Sequence, residues 1–308
     1  MLRYTVFRTT QMILVVVGVV ILVFFILRLA SGDPAAMMNP PGQQANIVQL
    51  TRVKIGTDKP LMVQFLNYVS GLAQGDLGKS FHGGQPVLNE LLKAFPNTLM
   101  LAVVTILFSS IVSLILGIGA ALHANGTFDR LVLVYVSLAV ATPSFWLGII
   151  LIMIFAVKLG WLPAIDMTGP KSFVLPVITL AVTLTPVLIR TVRQSFLETL
   201  NDDHIRAARA RGIPERRVIL VHALKVAALP LVTLIGMQLG MILAGSYVVE
   251  SIFNWPGIGK MTLDAVAGRD FPMVQGGVLV AALAFVVVNF LVDLAYAALD
   301  PRIRIGAK

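Results

Sequence analysis

A chain of 308 residues that is 57% hydrophobic and only 13% charged falls far below the roughly 25% charge of a soluble domain, and this excludes a water-covered globule in favour of a membrane protein. The net charge of +9 does not point to nucleic acid, because a basic binding face needs soluble surface, whereas in membrane chains Lys and Arg gather in cytoplasmic loops. The absence of Cys excludes disulfides, thiolate metal sites and Cys nucleophiles. His82, His123, His204 and His222 are scattered without a pair at helical ligand spacing, so no metal site is expected.

Six apolar stretches reach the length of about 20 residues that crosses a bilayer core: 10–30, 97–122, 131–157, 174–194, 228–250 and 276–298. Arg3 and Arg8 ahead of the first stretch also describe a signal peptide. That run ends in Arg28-Leu29-Ala30-Ser31, however, which lacks a small-x-small cleavage pattern, so it is kept as a span.

Residues 31–96 form an outer region that contains Ala73-Gln74-Gly75-Asp76-Leu77-Gly78-Lys79-Ser80, a relaxed match to a phosphate-binding loop. The match is expected to be accidental. A phosphate loop joins a buried strand to a helix, but Leu61, Phe65, Leu66, Val69 and Leu72 repeat at helical spacing before it. Gly83, Gly84 and Pro86 would break a helix after it.

Pro143 interrupts the third span and is followed by Ser144, Phe145 and Trp146. A proline in a span frees a carbonyl that needs protein or cavity water, so these residues are read as a pathway or gate, with a packed kink as the plainer account. In the fifth span Gly236, Gly240 and Ala244 make a small-xxx-small packing stripe. Gln238, Met241 and Ser246 lie on other faces, and Gln238 and Ser246 are expected to line the pathway, since polar atoms in a membrane face protein or water. Glu250 at the outer end of that span is read as an electrostatic contact for a peptide amine, a delivering protein or the outer gate, or else as an interfacial acid in water. Asn289 and Asp293 in the last span suit an ion pair with a loop Arg better than a proton relay.

Between the fourth and fifth spans the chain gathers Arg190, Arg193, Arg206, Arg209, Arg211, Arg216, Arg217 and Lys225. The opposite short loops hold only Lys158 and Lys171, or Lys260 and Arg269. The positive-inside bias therefore puts the 195–227 loop and both termini in the cytoplasm. Within that loop, Asp202 and Asp203 suit a helix start, Gly212 a left-handed stop and Pro214 a restart. Two short helices joined by a Gly-Ile-Pro turn are predicted, with small alanines that let another backbone approach and arginines that flank the contact.

Arg206-Ala207-Ala208-Arg209-Ala210-Arg211-Gly212, with Ile219 and Pro230 behind it, resembles the cytoplasmic Ala-Ala/Gly motif of ABC importer permeases. Arg206 stands where the general motif has Glu, in agreement with the peptide-permease branch. The resemblance continues through "FFILRLASGDPA", "FLNYVSGLAQGDLGKSF", "TPSFWLGIILIMIFAVKLGWLP", "VVESIFNWPGIGKMTLDAVAGRDFPMVQG" and "LVDLAYAALDPRIR". These look like the first, or B-type, transmembrane subunit of a dipeptide/oligopeptide importer.

The resemblance implies an all-α polytopic membrane protein with six transmembrane helices and the type I importer permease fold. It implies three regions: 1–30 as tail and first helix, 31–96 as the extracytoplasmic loop region, and 97–308 as the core permease domain. It implies that His204, Arg206, Ala207, Ala208, Arg209, Arg211, Gly212 and Ile213 form an ATPase-coupling surface. It further implies that Asn254, Trp255, Pro256 and Gly257, within an outer segment 251–275, belong to the outer gate or the docking face for a binding protein; an interfacial tryptophan anchor is the plainer reading. Expected partners are a second homologous permease, two ATPase subunits or domains that hold ATP and Mg, an extracytoplasmic substrate-binding protein and the bilayer of a bacterial plasma membrane. No cofactor is expected in this chain and no enzymatic step. Short peptides are the implied cargo, with haem, nickel complexes and glutathione carried by the same branch. A stand-alone secondary transporter would show internal repeats and several intramembrane charges, and no convincing repeat is visible.

Overall fold

The computed structural model describes residues 2–29, 35, 45–164, 169–227 and 229–299. The C-terminal "DPRIR" run, the side chain of Asp293 and most of 30–44 lie outside the described residues. Among the described residues the secondary structure is helical, apart from one isolated antiparallel bridge between Lys79 and Pro86. The helices are α1 (Leu2–Leu29), α2 (Ala45–Ile55), α3 (Leu61–Ala73), α4 (Val87–Leu122), α5 (Thr127–Ala141), α6 (Ser144–Leu151) and α7 (Val174–Leu200). They continue as α8 (Asp203–Ala210), α9 (Glu215–Arg217), α10 (Leu224–Ala227), α11 (Leu229–Gly245), α12 (Tyr247–Ile252), α13 (Ile258–Ala267) and α14 (Phe271–Leu299). Wider π-helical turns extend α6 over Ile152–Lys158 and link α9 to α10 over Val218–Ala223.

Four stretches are long and apolar enough to cross a membrane alone: Thr9–Leu29, Val87–Leu122, Pro170–Leu200 and Phe271–Val292. The number rises to six when each of two bent pairs counts as one span, in agreement with the six apolar stretches of the sequence. The expected third span, 131–157, is corrected in one respect. It is a corner of 101° between Thr127–Ala141 and Ser144–Lys158 rather than one continuous crossing helix. Thr142 takes extended angles, φ −91° and ψ 117°, as a residue before proline is pushed to do. Its hydroxyl donates back to the carbonyl of Leu138 at 2.7 Å, and the helix restarts behind Pro143, whose carbonyl accepts from the N–H of Leu147 at 3.1 Å.

The chain divides into two compact units. One comprises the described residues up to Thr98 with Pro256–Val286. Its core gathers Val87, Leu91 and Ala94 of α4, Ile258 and Ala265 of α13, and Met273 and Val274 of α14. Gly276 permits this approach, because a Cβ there would meet Val87 Cγ1 at 2.5 Å. In the same unit Phe24 is fully buried, stacked on Tyr68 at 5.5 Å, with the Arg28 guanidinium 4.2 Å above its ring.

The turn that contains the phosphate-loop pattern also lies in this unit. No helix begins at Lys79, and four of the turn's amides are already engaged. Gly75 N–H donates to Leu72, Asp76 N–H to Gly71 and Ser80 N–H to Gln85, all to backbone carbonyls. Gly78 N–H donates to Asp76 Oδ1 at 2.8 Å. The Ser80 hydroxyl donates to the buried carboxylate of Asp270, just ahead of α14.

The second unit comprises Leu99–Trp255 with the described residues from Val287 onward. Leu188, Val192 and Phe196 of α7 form one core with Ile205 and Ala208 of α8, Val218, Ala223, Ala227 and Leu231. Ala120, Val132, Val136 and Ile189 form a smaller one. Gly236 of α11 meets α14 here: a Cβ on it would stand 2.0 Å from Val292 Cγ2. That contact puts one member of the small-residue stripe to use within the subunit, where only glycine fits so close a backbone.

Candidate functional site

The 195–227 loop folds as its local signals predict. Asp202 is the N-cap residue of α8, although its carboxylate makes no capping hydrogen bond, and Asp203 stands in the first turn, where acids favour the helix dipole. Gly212 has φ +74° and closes the turn with its N–H on the carbonyl of Arg209 at 2.9 Å. Pro214 caps α9 from the position before it.

This short helix has two different faces. Ile205 and Ala208 are buried against α7, while His204, Arg206, Ala207, Arg209 and Arg211 are exposed, with Ile213 half-buried. Arg209 grips Glu215 with two donors, Nε to Oε2 at 3.1 Å and Nη2 to Oε1 at 2.7 Å. The hydrogen bonds from Arg209 hold the Glu215 carboxyl below its usual range and raise the guanidinium in turn. Both groups are largely in water, so the pair contributes a turn geometry more than stability. Arg206 and Asp203 approach at 3.7 Å on the open surface. The outcome is a rigid, basic, small-residue surface fixed to the core by two apolar side chains.

The candidate pathway residues separate into exposed and interior sets. Pro143, Phe145, Trp146 and Met241 are exposed, Ser144 half-exposed. Gln238 and Ser246 are buried, at 6% and 3% exposure. Gln238 Nε2 donates weakly to the carbonyl of Leu184 at 3.4 Å, and its Oε1 has no hydrogen-bond partner. Glu250 is 0% exposed, so it is not an acid in interfacial water. Ser246 Oγ donates to its Oε1 at 2.7 Å. Trp255 is 4% exposed, its ring edge-to-face with Phe173 at 4.7 Å. Asn254 beside it is exposed at φ +51°. Pro256 and Gly257 belong to the other unit, where the Pro256 carbonyl accepts from Asn97 Nδ2 at 2.9 Å and Gly257 caps α13.

Residue-type reasoning missed the ion pair of Asp129 and Arg193. Nε reaches Oδ1 at 2.6 Å and Nη2 reaches Oδ2 at 2.7 Å. The signal was present in an acid opening one apolar stretch and an arginine closing another. Among the described residues no group of three or more His, Asp or Glu stands close enough to hold a metal ion.

Residues 113–305 match the family described as "Binding-protein-dependent transport system inner membrane component", and residues 1–102 match its N-terminal counterpart, "Binding-prot-dependent transport system membrane comp, N-term". The chain belongs to this family. It is the permease subunit of an ABC importer of the peptide/oligopeptide class, as the coupling-loop motif implied. The glutathione transport system permease protein GsiC of Escherichia coli O6:H1 is 39% identical over 304 residues, 99% of either chain. The GsiC of Salmonella typhimurium is 39% identical with the same coverage, and that of Escherichia coli K12 is 38% identical. Among solved structures, inward-facing forms of the MetNI methionine ABC transporter share the permease fold. One has a TM-score of 0.56 at 18% identity, another 0.58 at 20%, each covering 68% of this chain and 96% of that one. The permease fold is thereby shown to be that of a type I importer, with four apolar spans, or up to six when each bent pair counts as one.

Proposed function

We propose that this permease forms half of the translocation pathway of an ATP-driven importer for short peptides in a bacterial plasma membrane. A second homologous permease completes the pathway, an extracytoplasmic binding protein delivers the cargo, and two ATPase subunits or domains hold ATP and Mg. Glutathione, itself a tripeptide, is the first cargo to try, because permeases named for its transport align along the whole chain. The observation that carries the coupling reading is the two-faced α8. Ile205 and Ala208 tie it to the core, while Arg206, Ala207, Arg209 and Arg211 remain open, and small residues let a partner's backbone come close.

In this reading His204, Gly212 and Ile213 complete the coupling surface. Both termini and the 195–227 loop lie in the cytoplasm, 31–96 lies outside, and 97–308 is the core permease domain. Pro143, Ser144, Phe145, Trp146 and Met241 present the pathway or gate, and Gln238, Ser246 and Glu250 support it from within. Asn254, Trp255, Pro256 and Gly257 contribute to the outer gate or to binding-protein docking. Transport is a shift between two arrangements that the nucleotide-bound and nucleotide-free ATPases stabilise differently.

Affinity purification from native membranes in mild detergent tests this. A second permease and ATPase chains are expected to accompany the wild-type chain. Gly212→Asp, which puts a side chain at φ +74° and an acid on a basic surface, is expected to lose the ATPases and keep the second permease. A chain that emerges alone in both preparations contradicts the reading.

A further inference from the structure

The carboxylate of Asp129 is 2% exposed, and neither the coupling surface nor the pathway uses it. Arg193 holds it with a two-pronged set of hydrogen bonds, and Asn125 N–H adds a third at 2.9 Å. A fork of this kind fixes orientation as well as distance. Buried ion pairs are weak evidence for stability, because desolvation offsets much of the attraction. What this one joins is more informative.

Asp129 lies in the first turn of α5, and Arg193 lies in α7 before the chain turns into α8. About two helical turns away, Tyr135 OH and Thr185 Oγ1 stand 2.8 Å apart across the same two helices. Val132, Val136 and Ile189 pack in that stretch. The helices are thus fastened at two levels with apolar contact as well. Val192 and Phe196, close to Arg193 on α7, pack against Ile205 and Ala208 of α8. At the other end of α5 the corner at Pro143 leads into α6, which packs on α7 directly, with Gly148 against Thr179 as well as Phe253 and Ile252.

We propose that the Asp129–Arg193 pair is a positioning clamp that makes α5 follow α7 when an ATPase moves α8. This rests on the coupling reading above. Neither residue touches cargo or nucleotide; each acts by keeping one helix in step with another. Without the clamp, α8 and α7 move while α5 lags, so hydrolysis continues and its effect on α5 is lost.

The test uses the complex purified from native membranes and needs no knowledge of the cargo. The chain has no Cys, so Leu138→Cys on the exposed side of α5 gives it a single reactive thiol. The rate of maleimide labelling there is measured with and without ATP plus vanadate, beside ATP hydrolysis by the same complex. With the pair intact, nucleotide is expected to change the labelling rate severalfold. With Asp129→Asn the rates with and without nucleotide are expected to become nearly equal while hydrolysis stays within about threefold. Asp129→Glu, which keeps the carboxylate, is expected to restore most of the change.

Should Asp129→Asn fail to assemble, Arg193→Lys retains both charges without the fork and is expected to lose part of the change at near-normal hydrolysis. The clamp is overturned if the nucleotide-dependent change survives these substitutions. It is equally overturned if the change and hydrolysis decline in proportion, or if nucleotide leaves Leu138→Cys unaltered in the parent complex. A parent chain that brings no ATPase with it overturns the coupling reading instead, and the clamp with it.

Discussion

Ser246 and Glu250 stand one turn apart where α11 gives way to α12, both buried, with the Ser246 hydroxyl donating a hydrogen bond to the carboxylate at 2.7 Å. The Glu250 N–H also donates to the Ser246 carbonyl at 2.8 Å. An acid and a hydroxyl that read as separate lining groups in the sequence form one internal fastener.

Glu250→Gln retains an acceptor of the same shape and is expected to cost under about 1 kcal/mol, whereas Glu250→Ala strands the Ser246 hydroxyl and is expected to cost about 2 kcal/mol. Thermal unfolding of the detergent-solubilised complex measures both. If Glu250→Gln proved as damaging as Glu250→Ala, the negative charge itself would be required, and the electrostatic gate contact would replace the fastener.

Ser80 and Asp270 fasten the outer turn of the other unit in a comparable way. His82 N–H lies 3.1 Å from Ser80 Oγ, and Asp270 Oδ1 accepts from Met273 N–H at 3.3 Å, so one buried carboxylate serves the turn and the start of α14 together. Asp270→Ala removes both supports. Tryptic cleavage after the exposed Lys79 is then expected to quicken by about tenfold, as local opening becomes easier. An unchanged cleavage rate would mean that the turn is held by its backbone hydrogen bonds alone.

Much of this architecture is legible in local sequence signals. Apolar length locates the spans, and Gly212 and Pro214 mark the turn between the cytoplasmic helices, because a left-handed angle and a proline restart are properties of single residues. The corner at Pro143 is not legible in the same way. Hydropathy records that residues are apolar on both sides of Thr142 and carries no direction, so a bend of 101° and a straight helix look alike. Pairings distant in sequence are hidden for a related reason. Asp129 and Arg193 are 64 positions apart, and each alone reads as an ordinary charge at a membrane border. Trp255 and Glu250 show the same limit, because an aromatic or acidic residue at the end of an apolar run reads alike whether open or packed, and the structure shows both to be buried.

The central claim is that α8 is the surface by which this permease is driven. Crosslinking in native membranes tests it most directly, since the cysteine-free chain accepts one thiol at a chosen site. Ala207→Cys on the exposed face of α8 and Lys171→Cys in the turn over Pro170–Phe173 are compared, using a short thiol-directed photocrosslinker. The expected result is an ATPase adduct from Ala207→Cys that weakens when nucleotide is changed, with none from Lys171→Cys. Equal adducts from both positions, or an Ala207→Cys that reacts freely with soluble maleimide and captures no ATPase, would contradict the account.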